Sequence, residues 1–298
     1  MFDFISEPWT YEFMRRATVE VTIVGVICGL VGCFVVLRGL SFIGDALAHA
    51  VFPGVVLSYM AGKSIVIGAF AFGLLTALGV GILSRSRRVS EDTAIGVIFA
   101  AFFALGVVLI SRQAGFKKDL ASLLFGNVLG VSNADIVVTL VVSLAVAGIL
   151  FALLKEFTLV AFDATMARSA GYPVFWLDIL LLMLVSATIV VSLQTVGNIL
   201  ILALIVTPPA TARLLTDRLG RMMAFSVAIS VVSSVGGLFI SYHADTAAGG
   251  TIVLAATAFF AAALVLAPNH GLLSGWLQRR RGSHHAHHYH PVDEPQGR

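Results

Sequence analysis

The chain has 298 residues, of which 58% are hydrophobic and 12% charged, with a formal net charge of +3. Soluble domains carry roughly twice that charged fraction, and mean hydropathy here is +0.98, so aqueous globular and disordered classes are both excluded. The basic residues are scattered in short loops between apolar runs instead of clustering on a face, which excludes a nucleic-acid partner and is the pattern of membrane topology.

A spanning helix needs about 20 mostly apolar residues. In chain order the candidate runs are 17–37, 43–60, 64–84, 93–111, 134–154, 177–195, 197–216, 221–241 and 248–267. Residues 1–16 form an N-terminal segment before them, and 17–268 a transmembrane domain. The expected fold is an all-α polytopic membrane protein with eight or nine transmembrane helices, some of them broken. The stretch 119–131 is too short to span; interrupted by Gly126 and Gly130, it reads as a short re-entrant or interfacial segment. Arg38, Arg85, Arg87, Arg88, Lys155, Arg168, Arg213, Arg218, Arg221 and the arginines after 278 fall on one side of this arrangement, and Arg15, Arg16, Lys63, Arg112, Lys117 and Lys118 on the other. The richer side is cytoplasmic. The C-terminus is then inside and, with nine spans, the N-terminus outside; eight spans would move one end. The first run is full length and lacks a small-residue cleavage site, so no cleavable signal peptide is expected. Cys28 and Cys33 lie five apart within it and read as small packing residues.

Two segments depart from the apolar pattern. Residues 155–176 are a long cytoplasmic interruption, in which 163–170 (DATMARSA) predict a short helix opened by Asp163 and stopped by Gly171 and Pro173. The tail 269–298 is polar, is expected to be disordered, and holds HHAHHYH, five of the eight histidines. It is either a weak binder of cytosolic metal or a dispensable extension.

Ionisable groups inside a bilayer are costly, so they are candidates for function. Asp45 and His49 lie four residues apart on one helix face, with Pro53 close behind to break the helix. A carboxylate and an imidazole so placed suit a divalent ion such as Zn²⁺ or Mn²⁺; the alternative is a buried polar pair that holds two helices together. His243 and Asp245, in SYHADTAAGG between the last two runs, would complete a set of two histidines and two carboxylates only if that loop folds back into the bundle. Asn198, Thr207, Pro208 and Pro209 interrupt the run 197–216, and a broken helix there would line a cavity. Glu20 and Asp178 lie near span ends, where snorkelling or capping accounts for them. The stretch 54–64 (GVVLSYMAGKS) fails as a phosphate-binding loop, because Leu57 stands where the first glycine is needed. No other stretch fits such a loop, so the chain is expected to carry no ATPase of its own.

At these residues the sequence resembles the permease subunits of bacterial metal-ion ABC importers of the zinc, manganese and iron family. The matching stretches are RGLSFIGDALAHAVFPGV (38–55), SEDTAIGVIFAAFFALG (90–106), DLASLLFGNVLGVS (119–132), FDATMARSAGYP (162–173) and VGNILILALIVTPPATARLL (196–215), the first and last being the most specific. The resemblance implies that Asp45 is the family's intramembrane metal-site aspartate with His49 as its helical neighbour, while His243 and Asp245 match more loosely. It also implies that Asp163, Ala167, Ala170 and Gly171 belong to a coupling helix that docks on a separate ATPase subunit. The implied assembly sits in the bacterial cell membrane. It contains two permease copies as a homodimer or heterodimer, two ATPase subunits and an extracytoplasmic metal-binding protein, with no permanently bound cofactor. The resemblance thus implies that this chain is a transport subunit and not an enzyme. The cargo would be Mn²⁺, Zn²⁺ or Fe²⁺. LFGNVLGVS leans towards manganese and iron and the histidine tail towards zinc, which puts manganese first. A secondary cation carrier or channel working without ATP is the competing reading, and the segment 155–176 separates the two.

Overall fold

The structure, a computed structural model, describes residues 7–85, 89–111 and 128–267. Among these, nine helical stretches are long and apolar enough to cross a membrane, in agreement with the larger of the two expected span counts. The first span is α1 (Glu12–Leu37); it begins inside the expected N-terminal segment. The second is divided into α2 (Ile43–Ala50) and α3 (Phe52–Met60). There follow α4 (Ile65–Ser84), α5 (Glu91–Ser111) and, after a single 3₁₀ turn at Val128–Gly130, α6 (Asn133–Ala152). Two short helices, α7 (Leu154–Phe162) and α8 (Ala164–Ser169), precede the last four spans. Those are α9 (Val174–Val196), α10 (Asn198–Leu215), α11 (Leu219–Ala244) and α12 (Ala248–Leu266). Most of the expected re-entrant segment, and the whole histidine-rich tail, lie outside the described residues.

Helix α1 is the centre of the bundle, packed on α6, α9, α10 and α11. Helices α5, α6 and α12 keep most of their apolar side chains at the periphery, as helices that face lipid do. Without a hydrophobic force between helices in lipid, close packing depends on small residues. The α1–α11 seam follows that rule. Gly25 lies opposite Ser230 and Ser234, Gly29 opposite Val227, and the Ser226 hydroxyl donates to Gly29 O at 2.7 Å.

The α1–α10 contact explains how a double proline is tolerated within a span. Pro208 and Pro209 were expected to interrupt this run, yet α10 continues through both, and both are buried. Pro209 has no N–H for the carbonyl of Ile205 one turn earlier. Gly32 of α1 occupies that place: a Cβ there would lie 2.1 Å from Ile205 O and 2.7 Å from Pro209 Cγ. Backbone abuts backbone, with room for a Cα–H contact to the freed oxygen. Gly32→Ala is therefore expected to lower stability by about 1–3 kcal/mol through overpacking, read as a drop in the detergent melting temperature. An unchanged midpoint would contradict this packing.

The break instead falls at Gly197, between α9 and α10, where φ is +80° and ψ 163°. Glycine adopts that backbone without the Cβ penalty of other residues. The other expected break is present: α2 and α3 meet at Val51, with Pro53 in the first turn of α3.

Candidate metal site

On the short helix α2, one side chain is out of character. Its flanks are buried in the bundle, but Asp45 projects from it half exposed. One turn later the His49 Nε2 lies 3.4 Å from Asp45 Oδ1. The N-terminus of α10 reaches the same nitrogen: Asn198 Nδ2 is 3.4 Å from His49 Nε2, while Asn198 Oδ1 is buried with no hydrogen-bond partner. The Gly197 turn delivers Asn198 to this point. Phe99 and Phe103 of α5 pack against the imidazole at 5.8 and 5.5 Å between ring centres, forming a dry wall that fixes its plane.

These distances are long for hydrogen bonds but fit the spacing of ligands around one ion. Two ligands each about 2.1 Å from a metal lie roughly 3.0 Å apart at a right angle and roughly 3.4 Å apart at the tetrahedral angle. A half-turn of the Asn198 amide exchanges its N and O, so its unpaired oxygen can complete a three-sided set with Asp45 and His49.

The other predicted pair is not gathered here. Among the described residues no group of three or more His, Cys, Asp or Glu side chains comes together as a metal could hold them. Helix α11 runs on to Ala244, so His243 lies in its last turn and not in a loop. The His243 ring packs on Phe239 and Tyr242, with Nδ1 3.0 Å from Phe239 O. Asp245 follows as the left-handed C-cap, φ 49°. The segment does not fold back to α2 because helix propagation carries it outward.

The interruption at 155–176 is more helical than expected, since 154–162 form α7. The predicted short helix is present as α8. Asp163 Oδ1 accepts from Thr165 N at 2.9 Å and from Met166 N at 2.8 Å, the standard N-cap arrangement. Ala167 is fully buried, Ala170 is the C-cap, and Gly171 at φ +85° ends the helix. Beside α8 is a cavity of about 840 Å³ lined by Arg38, Arg85, Arg168, Phe175 and Asp178 among others. Arg38, Arg85 and Arg168 thus gather at one end of the bundle, as the loop-charge argument requires.

Sequence reasoning missed three partnerships. Asp178 is expected to snorkel or cap a span end, but Arg38 Nη1 donates to its Oδ1 at 2.6 Å, which ties the end of α1 to α9. Asn198 is expected in a helix break lining a cavity, but its approach to His49 is not part of that expectation. Glu20 was assigned to a span end, yet it is fully buried. Its position eight residues inside α1, and its charge, were the available signal.

Nine apolar spans among the described residues, with an ionisable pair on a broken span and a capped short helix at one end, define a multi-pass membrane permease. The chain belongs to the ABC 3 transport family, which it matches over residues 10–267. It is 43% identical to the manganese transport system membrane protein MntC of Halalkalibacterium halodurans, over 93% of this chain and 95% of that one. It is 41% identical to the chelated iron transport system membrane protein YfeD of Yersinia pestis, over 89% of each. Among solved structures it is similar to PsaBC from Streptococcus pneumoniae in complex with Fab, with a TM-score of 0.81 and 38% identity over 93% of this chain and 99% of that one.

Proposed function

We propose that the chain is the membrane-spanning subunit of an ATP-driven importer of divalent transition-metal ions, with manganese as the first cargo and iron or zinc as lesser ones. The observation that carries the proposal is the convergence of Asp45, His49 and Asn198 on one point in an otherwise apolar wall. Mixed nitrogen and oxygen ligands suit these ions, and relatives at about 40% identity are named for manganese and iron transport.

Three open ligands suit transport better than a closed cage, since the ion must also leave. Asp45 is half exposed in a single copy, and an unshielded carboxylate does not face lipid; a second permease copy would enclose it. Helix α8, with Asp163 and Gly171 fixing its two ends, Ala167 buried against the bundle and Ala170 exposed at its C-cap, would dock on one of two ATPase subunits. ATP binding there would draw the subunits together and switch the site from an extracytoplasmic binding protein to the cytoplasm of the bacterial cell. Pro53, Pro208 and Pro209 shape the helices beside the path.

The test is reconstitution of the permease with its ATPase in proteoliposomes. ATP-dependent Mn²⁺ influx is expected; influx driven by an ion gradient with no ATPase present would establish the secondary-carrier reading. Truncation after Arg281 is expected to leave influx largely intact, and complete loss would make the histidine tail part of the path.

A further inference from the structure

Glu20 presents a problem that the metal site above does not solve. It lies on α1, the most central helix, and is fully buried where α1, α6 and α9 meet. Its Oε1 accepts from Thr139 Oγ1 of α6 at 2.9 Å. Its Oε2 is buried with no hydrogen-bond partner. The Thr195 side chain of α9 adjoins the carboxyl, and its Oγ1 also lies 3.1 Å from Ser192 O. Among the described residues no lysine, arginine or histidine pairs with Glu20.

An ionised carboxylate without a counter-charge is not tolerated in such a place. Oε2 is the carboxyl oxygen left without a partner. The surrounding polar groups share this deficit. Ser143, one turn beyond Thr139 on the same face of α6, and Ser192, one turn before Thr195 on α9, are both buried with unpartnered hydroxyl oxygens. Three helices thus place a buried carboxylate among hydroxyl-bearing side chains, with Thr139 and Thr195 beside it and Ser143 and Ser192 a turn further along their helices. A cation beside Glu20 supplies the missing counter-charge and a partner for Oε2.

We infer that Glu20, with Thr139 and Thr195, forms a second, oxygen-only cation position for the transported ion. Thr195 precedes Asn198 by three residues, so this position and the Asp45–His49 pair adjoin the same Gly197 break. The inference rests on the metal-import reading and adds selectivity to it. Carboxylate and hydroxyl oxygens suit hard ions such as Mn²⁺, whereas zinc is better served by nitrogen and sulfur. The Glu20 position would favour manganese at a step that the His49 site alone does not discriminate.

The experiment uses Glu20→Gln, which keeps the shape and the Thr139 hydrogen bond but removes the charge. Mn²⁺ bound to the purified complex is counted by electron paramagnetic resonance, and Mn²⁺ influx is measured with and without competing Zn²⁺. Wild type is expected to bind two Mn²⁺ per permease chain, E20Q one and Asp45→Ala one. E20Q influx should fall at least tenfold, with the preference for Mn²⁺ over Zn²⁺ reduced. If E20Q does not fold, Thr139→Val and Thr195→Val carry the same test, each expected to weaken the second Mn²⁺. Wild-type stoichiometry, influx and preference in E20Q would overturn this inference alone. Failure of the wild-type complex to import metal with ATP would instead overturn the functional reading beneath it.

Discussion

Asp45→Ala is expected to reduce metal influx more than about a hundredfold, because even the outer-shell partners of metal ligands are worth about 10–100-fold. Asp45→Asn should be nearly as damaging, since it keeps the size and loses the charge. Expression should hold or rise. A carboxylate held within the bilayer costs about 3 kcal/mol on insertion scales, and among the described residues its ion-pair partner is His49, at a long 3.4 Å. A residue that weakens the fold and survives in it is there for a ligand. Normal metal accumulation in cells carrying Asp45→Ala would count decisively against the site.

The second large effect concerns α8. Asp163→Ala removes two capping hydrogen bonds, a loss of about 1 kcal/mol. Gly171→Val places a β-branched residue at φ +85°, a further strain of about 1–2 kcal/mol. Neither change touches Asp45 or His49, and both are too small to unfold nine packed spans. The expected phenotype is uncoupling: ATP hydrolysis by the partner continues, metal still binds the permease, and influx collapses. Coupled transport at wild-type rates in both variants would show that force enters the bundle elsewhere.

Much of this was legible in the sequence, for identifiable reasons. Spans are set by apolar length, a local property, so nine runs and nine helical stretches agree. Asp45 and His49 were visible because the helical repeat puts i and i+4 together whatever the tertiary context. Helix α8 was visible because Asp163 and Gly171 are end signals acting within a few residues. Contacts across helices were not legible. Nothing near Pro209 says that Gly32, far away in the chain, stands behind Ile205 O and lets the helix continue. Nothing near Asn198 says that a positive φ at Gly197 aims it at His49. His243 misled because a polar loop signal was overridden by extension of α11 through Ala244. Glu20 was underrated because proximity to a span end suggested water, whereas α6 and α9 cover it completely.

The most direct measurement is anomalous scattering at the manganese edge from the metal-loaded permease–ATPase complex. A peak about 2.1–2.2 Å from both the Asp45 carboxylate and His49 Nε2 is the predicted result. Manganese density elsewhere in the spans, with the Asp45 side chain turned to lipid or fixed in a structural contact, would contradict it.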